Sequence, residues 1–147
     1  MNSRINFENV HPEGYKQMLT FSRAAKPQTL STVETELIKI RASQINGCAF
    51  CLDLHTRLAR RAGETEGRIH VLAAWRDTSF FTEQEKAMLA LTEEITLIHQ
   101  PVSDQTYLAA AQVLSELQIA EVILTIVVIN SWNRIMKATR FPPPLDL

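Results

Sequence analysis

Two thiols, an imidazole and a carboxylate stand at spacings suited to redox chemistry. Cys48-Ala49-Phe50-Cys51 is a CxxC pair placed directly after the turn signal Asn46-Gly47. Residues three apart on a helix have Cβ atoms about 5–6 Å apart, so small rotations bring the two sulfurs within disulfide reach. The turn puts the first thiol at or near a helix N-terminus, where free N–H groups and the helix dipole favour a thiolate. His55 follows Cys51 by four residues and shares its helix face. Glu36 lies on the preceding segment. If the chain folds back at Asn46-Gly47 as a helical hairpin, Glu36 is roughly 15 Å before the turn and His55 roughly 13 Å after it. The two then reach similar heights on facing helices. A Glu36–His55–Cys51 relay becomes available, in which the carboxylate orients and charges the imidazole and the imidazole accepts the thiol proton.

Each of these residues also has a plainer reading. Two nearby cysteines in a helix are often small core residues, a lone histidine is usually structural, and Glu36 would serve equally as a solvated carboxylate. A structural zinc site could use Cys48, Cys51, His55 and Glu36, but such sites draw on two separated ligand pairs and the chain offers no second pair. Other residues carry less. Glu93 and Glu94 are adjacent and point in different directions, so they do not form an acid/base pair. His11, His70 and His99 have no partner at a meaningful spacing, and Trp75 and Trp132 read as packing residues. No Gly-rich phosphate loop occurs, so no bound nucleotide cofactor is expected.

The elements that must position the relay read as helices. Ser31-Thr32-Val33-Glu34 is a capping box that leads into Val33, Leu37, Ile38 and Ile40. Asn46-Gly47 ends that helix, and Gly63 ends the next, from about Ala49 to Ala62. A short helix is expected around Glu66 to Ala74. A second box, Thr82-Glu83-Gln84-Glu85, opens a helix carrying Ala87, Met88, Leu91, Ile95 and Ile98. Pro101 separates it from another beginning near Ser103-Asp104. The segment from about Ile119 to Thr139 is rich in β-branched residues that would suit a buried strand. Its length and the absence of any partner strand favour a helix buried nearly all round, stopped by Phe141-Pro142-Pro143-Pro144. The expected fold is an all-α, single-domain bundle of about seven helices spanning residues 1–147, with no sheet.

Composition agrees with this and excludes several classes. The 147 residues include 46% hydrophobic side chains and four glycines, enough apolar material for a core and too few glycines for an all-β fold. Fifteen Lys+Arg against sixteen Asp+Glu argue against a nucleic-acid binder. Met1-Asn2-Ser3-Arg4-Ile5-Asn6 lacks the apolar stretch of a secretory leader. The most apolar run, Val122 to Ile129, is eight residues long where a bilayer needs about 20. A cytoplasmic protein with no membrane partner is expected, its thiols mostly reduced. A chain of this size needs no disulfide to fold, so the two cysteines are free to do chemistry.

The stretch from Glu36 to Cys51, continuing through Leu54-His55-Thr56, closely resembles the alkylhydroperoxidase D branch of the carboxymuconolactone decarboxylase superfamily. That family's pattern is a Glu twelve residues before a CxxC with a His four residues after its second Cys, and Glu36, Cys48, Cys51 and His55 match all four positions. The similarity continues through Ala62-Gly63-Glu64-Thr65 and Ala73-Ala74-Trp75-Arg76, and resumes at Ile129-Asn130-Ser131-Trp132-Asn133-Arg134. It covers most of the chain from about residue 30 onward, with a core at about 30–100. The resemblance implies an all-helical fold, assembly as a dimer, trimer or hexamer, and peroxide attack by Cys51. It departs at Phe50, where the best-studied peroxidase members carry an auxiliary His; this bears on turnover rate and substrate. Decarboxylase members generally lack the cysteine pair, which argues against lactone chemistry. For Asn133 and Arg134 a structural or assembly role is expected.

Three functions follow. The first is a thiol peroxidase: Cys51 attacks a hydroperoxide, Cys48 resolves the sulfenic acid, and an external dithiol of dihydrolipoamide or thioredoxin type reduces the disulfide. Against this assignment stands the tendency of the first cysteine in a CxxC to be the more exposed and acidic one. The second is a general dithiol–disulfide oxidoreductase acting on protein disulfides. The third is a non-enzymatic, redox-sensing helical oligomer.

Overall fold

Turn and cap chemistry places the helices. In the computed structural model, which describes residues 3–144, these form eight α-helices and one 3-10 segment, and no strand. The helices are α1 (Phe7–Val10), α2 (Pro12–Ala24), α3 (Thr32–Asn46), α4 (Ala49–Arg61), α5 (Glu66–Val71), α6 (Glu83–Thr96), α7 (Asp104–Val113) and α8 (Glu116–Thr139), with the 3-10 segment at Leu72–Asp77. The all-α expectation holds, with one more helix than the seven expected. Met1, Asn2 and residues 145–147 lie outside the described residues, and with them the first two positions of the leader reading.

Both expected capping boxes form: Ser31 and Glu34 satisfy each other's backbone at the start of α3, and Thr82 and Glu85 do so at α6. A third, Ser115 with Gln118, starts α8 earlier than its β-branched run suggested. His11, which has no partner by spacing, caps α2: its Nδ1 accepts from Gly14 N at 3.2 Å. α6 ends at Thr96, so Ile98 lies beyond it and is largely exposed.

α3 is the central element. It packs on α4, α6 and α8, and its buried residues point to all sides: Leu37 and Ile40 toward α4 and the 3-10 segment, Ile38 toward α6 and α8, Ala42 toward the cysteine pair. α8 is helical throughout, which settles the strand alternative. It is the one described helix long and apolar enough to cross a bilayer, yet half of that stretch is buried inside the fold, as in a core helix. Thr125, the single polar residue of the run from Val122 to Ile129, donates to Glu121 O at 2.8 Å. The burial of α8 is one-sided, however: Leu117, Ile123, Leu124 and Val127 are exposed. This corrects the expectation of a helix enclosed all round.

The hairpin between α3 and α4 is fixed by a glycine. Gly47 has φ 64° and ψ 43°, the left-handed conformation that an L side chain adopts only at a penalty. Gly47 N then donates to Gln44 O and Cys48 N to Ser43 O, closing the end of α3. A buried polar cluster holds the turn against α8. Asn133, fully buried, donates to Ser43 Oγ at 3.0 Å and accepts from Asn46 Nδ2 at 2.8 Å. Asn46 Nδ2 also donates to Asn130 Oδ1 at 2.9 Å, and Arg134 donates to the same oxygen at 2.8 Å. Asn133→Leu leaves the buried Ser43 hydroxyl without its amide donor and removes one of the two acceptors of Asn46 Nδ2. It is expected to destabilise the fold by about 1–3 kcal/mol, read as a lower urea unfolding midpoint at unchanged slope; an unchanged midpoint would refute the role.

Candidate active site

The hairpin sets Glu36 of α3 opposite His55 of α4, as their distances from the turn require. Glu36 Oε2 lies 2.6 Å from His55 Nδ1, and Oε1 accepts from Lys39 Nζ at 2.8 Å. Glu36 is only 4% exposed. Burial alone pushes its carboxyl up, but the hydrogen bond and charge of His55, then those of Lys39, outweigh this and hold it below the ordinary value of 4.5. The carboxylate is therefore ionised at neutral pH. With Nδ1 donating to Glu36, Nε2 is the ring nitrogen left to accept a proton.

The cysteines join the third buried cluster of the fold, with Ala42, Ile129 and Met136. They form a disulfide with Cα atoms 5.4 Å apart. Cys48 is the N-cap residue of α4, outside the helix, and Cys51 sits in its first turn. Both are buried, at 1% and 2% exposure, so the first cysteine is not the more exposed one. They differ in what they face. Cys51, together with Glu36, Lys39 and His55, lines a cavity of about 570 Å³, and Cys48 does not.

The cavity is walled mainly by apolar side chains, among them Phe50, Leu54, Ile129, Trp132 and Phe141. Phe50 meets Phe141 edge-on at 5.0 Å, an apolar wall where the resembling peroxidases have a histidine. The cover is α2, a helix with no buried residue of its own. It is pinned by Trp132 Nε1 donating to Ser22 Oγ at 2.8 Å and by Tyr15 packing edge-on against the Trp132 ring. Trp132 thus does more than pack. The loop after α2 is anchored by buried Glu121, which accepts from Gln28 N at 2.7 Å and from Thr29.

All four sequence-selected residues meet in this region, with Glu36–His55 in direct contact and Cys51 one helical turn before His55. The sequence reading missed Lys39, three residues from Glu36 in a spacing common to solvent-exposed pairs, and it missed α2 as the cover. The donors of the zinc alternative do not form a metal-ligand group among the described residues. Glu93 and Glu94 diverge as expected. Glu93 accepts from Arg41 and Trp75 and pairs with Arg76, while Glu94 accepts from Ser103 and Thr106 at the start of α7. His70 and His99 lie outside the cavity lining.

An all-helical bundle with a CxxC pair beside a buried carboxylate–imidazole contact defines a class of helical dithiol proteins. The chain belongs to the carboxymuconolactone decarboxylase family, whose model matches residues 12–94, from α2 into the last turn of α6. It is 45% identical over 136 residues to the uncharacterized protein YdfG of Bacillus subtilis, covering 92% of each chain. Its structure superposes with a TM-score of 0.94 on a protein of unknown function from Agrobacterium tumefaciens, a putative antioxidant defence protein AhpD; identity is 33% and coverage 99% and 100%. The fold is thus alkylhydroperoxidase D-like. The debrominase Bmp8, solved with 2,3,4-tribromopyrrole, shares it at a TM-score of 0.83 and 16% identity, covering 93% of this chain and 74% of that one.

The lowered Glu36 value has a measurable consequence. A carboxylate whose folded value lies below its unfolded one adds stability above the unfolded value, and this is lost as pH falls through the folded one. The stability advantage of the native protein over Glu36→Gln is therefore expected to shrink as pH falls from near 4.5 downward. Urea midpoints of both proteins across that range test it, and a difference independent of pH would refute it.

Proposed function

We propose that this protein is a thiol-dependent peroxidase that reduces organic hydroperoxides through a Cys51/Cys48 dithiol–disulfide cycle. The observation that carries this reading is the Glu36–His55 contact opening on the same cavity as Cys51. In the reduced protein His55 takes the Cys51 proton, held in its tautomer by Glu36. The thiolate attacks the distal oxygen of ROOH and the O–O bond breaks. Its electron pair leaves on RO⁻, which takes the proton from His55 and departs as ROH. Cys51 is left as a sulfenic acid. The Cys48 thiol displaces its hydroxyl, releasing water and closing the disulfide, and an external dithiol returns the pair to the reduced form.

The apolar walls and the volume of about 570 Å³ suit a hydroperoxide with a sizeable apolar group. The burial of both sulfurs favours a small oxidant over a folded protein disulfide, and so favours this reading over a general dithiol–disulfide oxidoreductase. Cys51→Ser is expected to abolish hydroperoxide consumption. Cys48→Ser is expected to accumulate a sulfenic acid that a dimedone probe traps, and His55→Gln to lower kcat/KM by about 10²-fold. Sulfenic acid in Cys51→Ser and none in Cys48→Ser would reverse the assignment. A reduced protein inert to peroxides and disulfides alike would leave the redox-sensing reading.

The exposed side of α8 supports a homo-oligomer. Leu117, Ile123, Leu124 and Val127 form an apolar stripe at helical spacing. A second copy crossing antiparallel near Thr125 would cover it and set the exposed Glu116 of one copy opposite Arg134 of the other. That self-complementarity commits the face to another copy of this chain. Leu124→Glu is expected to lower the mass measured by light scattering to that of a smaller species; an equal mass for both proteins excludes this face as the interface.

A further inference from the structure

We propose that Lys39 is a positioning residue of the site: it holds Glu36 with one carboxylate oxygen turned to His55, and its charge lowers the proton affinity of the whole Glu36–His55–Cys51 set. The inference rests on the relay proposed above and extends it to a residue outside the CxxC pattern. A Glu–Lys pair three residues apart on an exposed helix face adds only about 0.2–0.5 kcal/mol and does little else. This pair is not on an exposed face. Glu36 is buried, Lys39 is only 23% exposed along its side chain, and both line the cavity that Cys51 faces.

Division of the carboxylate between two donors is the key feature. Oε1 is occupied by Lys39 Nζ at 2.8 Å and Oε2 by His55 Nδ1 at 2.6 Å. Without the ammonium, Oε1 would sit in the interior with nothing to fix it, and the carboxylate could rotate away from the ring. The full negative charge would also act on His55 and Cys51 alone, favouring protons on both. The depressed titration of Glu36, which burial opposes and to which Lys39 contributes after His55, agrees with this direction.

The other titratable groups lining the cavity are Glu8 of α1, Tyr15 and Arg23 of α2, and Lys26 of the loop that follows; α8 contributes none. Arg23 and Lys26 are exposed, so water and salt screen their charges from the relay. Lys39 alone among the cavity cations is in contact with Glu36.

Alkylation of Cys51 by iodoacetamide as a function of pH tests this in the reduced Cys48→Ser protein, which has a single thiol. Removing a nearby positive charge raises the pH at which the thiolate appears, whichever group of the set loses its proton first. Lys39→Met is therefore expected to move the acid limb of the profile up by about half a pH unit, or about threefold in rate on the limb. Lys39→Arg is expected to leave the limb in place, and Glu36→Gln to move it down. Far-UV circular dichroism identifies any variant that has lost its fold. A merely structural lysine would alter the rate or the melting point without moving the limb in opposite senses for the two partners. An unmoved limb in Lys39→Met, or an equal shift in Lys39→Arg, overturns the proposal. Because alkylation involves no peroxide, the expected shifts without hydroperoxide turnover would overturn the peroxidase reading and leave the role of Lys39 standing.

Discussion

A carboxylate taken out of water must be met by donors or cations, and in this fold that demand falls on Glu36. It sits on α3, the helix packed against α4, α6 and α8 alike, where an unpartnered charge would be strongly destabilising. Its two oxygens are divided between the neighbouring helix and its own: His55 comes from α4 and Lys39 from one turn further along α3. The contact with His55 exists only if α4 returns alongside α3 in one register. The site therefore depends on the turn between them, and the turn depends on a left-handed residue at position 47.

The polar cluster beneath the turn follows from the same constraint. A hairpin closed by backbone bonds alone leaves the Asn46 and Ser43 side chains in a buried corner against α8. Asn133 answers both, and Asn130 adds a second acceptor for Asn46. Lys137 reaches the Asn46 carbonyl from the next turn of α8. One face of α8 thus clamps the hairpin while another, at Ile129, Trp132 and Met136, supplies the cavity wall. Asn133 and Arg134, for which a structural or assembly role is expected, both bond within this cluster, and Asn133 ties the late helix to Ser43 of α3, 90 residues upstream.

Much of this was legible in the sequence where the signals are local. Capping boxes, the Asn46-Gly47 stop and the equal distances of Glu36 and His55 from it are short-range features that the structure keeps. What escaped depends on long-range packing. Lys39 is three residues from Glu36, and only the burial of α3 by three other helices turns an ordinary spacing into a contact inside the site. α2 sets Tyr15, Met18 and Leu19 on one face at helical spacing, but a helix laid over a cavity and one laid over a solid core carry the same stripe. α8 was read as enclosed because its composition is apolar throughout, and composition does not distinguish a face turned to the core from one left open. Ile98 continued the helical spacing of α6, but that helix had already ended at Thr96.

The two cysteines show how little of their chemistry comes from exposure. Both sulfurs lie in an apolar cluster, and such surroundings raise a thiol's proton affinity rather than lower it. The disulfide joins residues only three apart, too small a loop to stabilise the fold by restricting the unfolded chain. Two influences remain to make a thiolate: the free N–H groups at the start of α4, and the imidazole one turn after Cys51. The first acts on both sulfurs, since Cys48 caps that helix and Cys51 lies in its first turn. The second reaches only the cysteine that shares the cavity with His55. In the proposed cycle, the asymmetry between attacking and resolving thiol therefore arises from which sulfur shares a cavity with Glu36 and His55, in a pair that burial leaves otherwise alike.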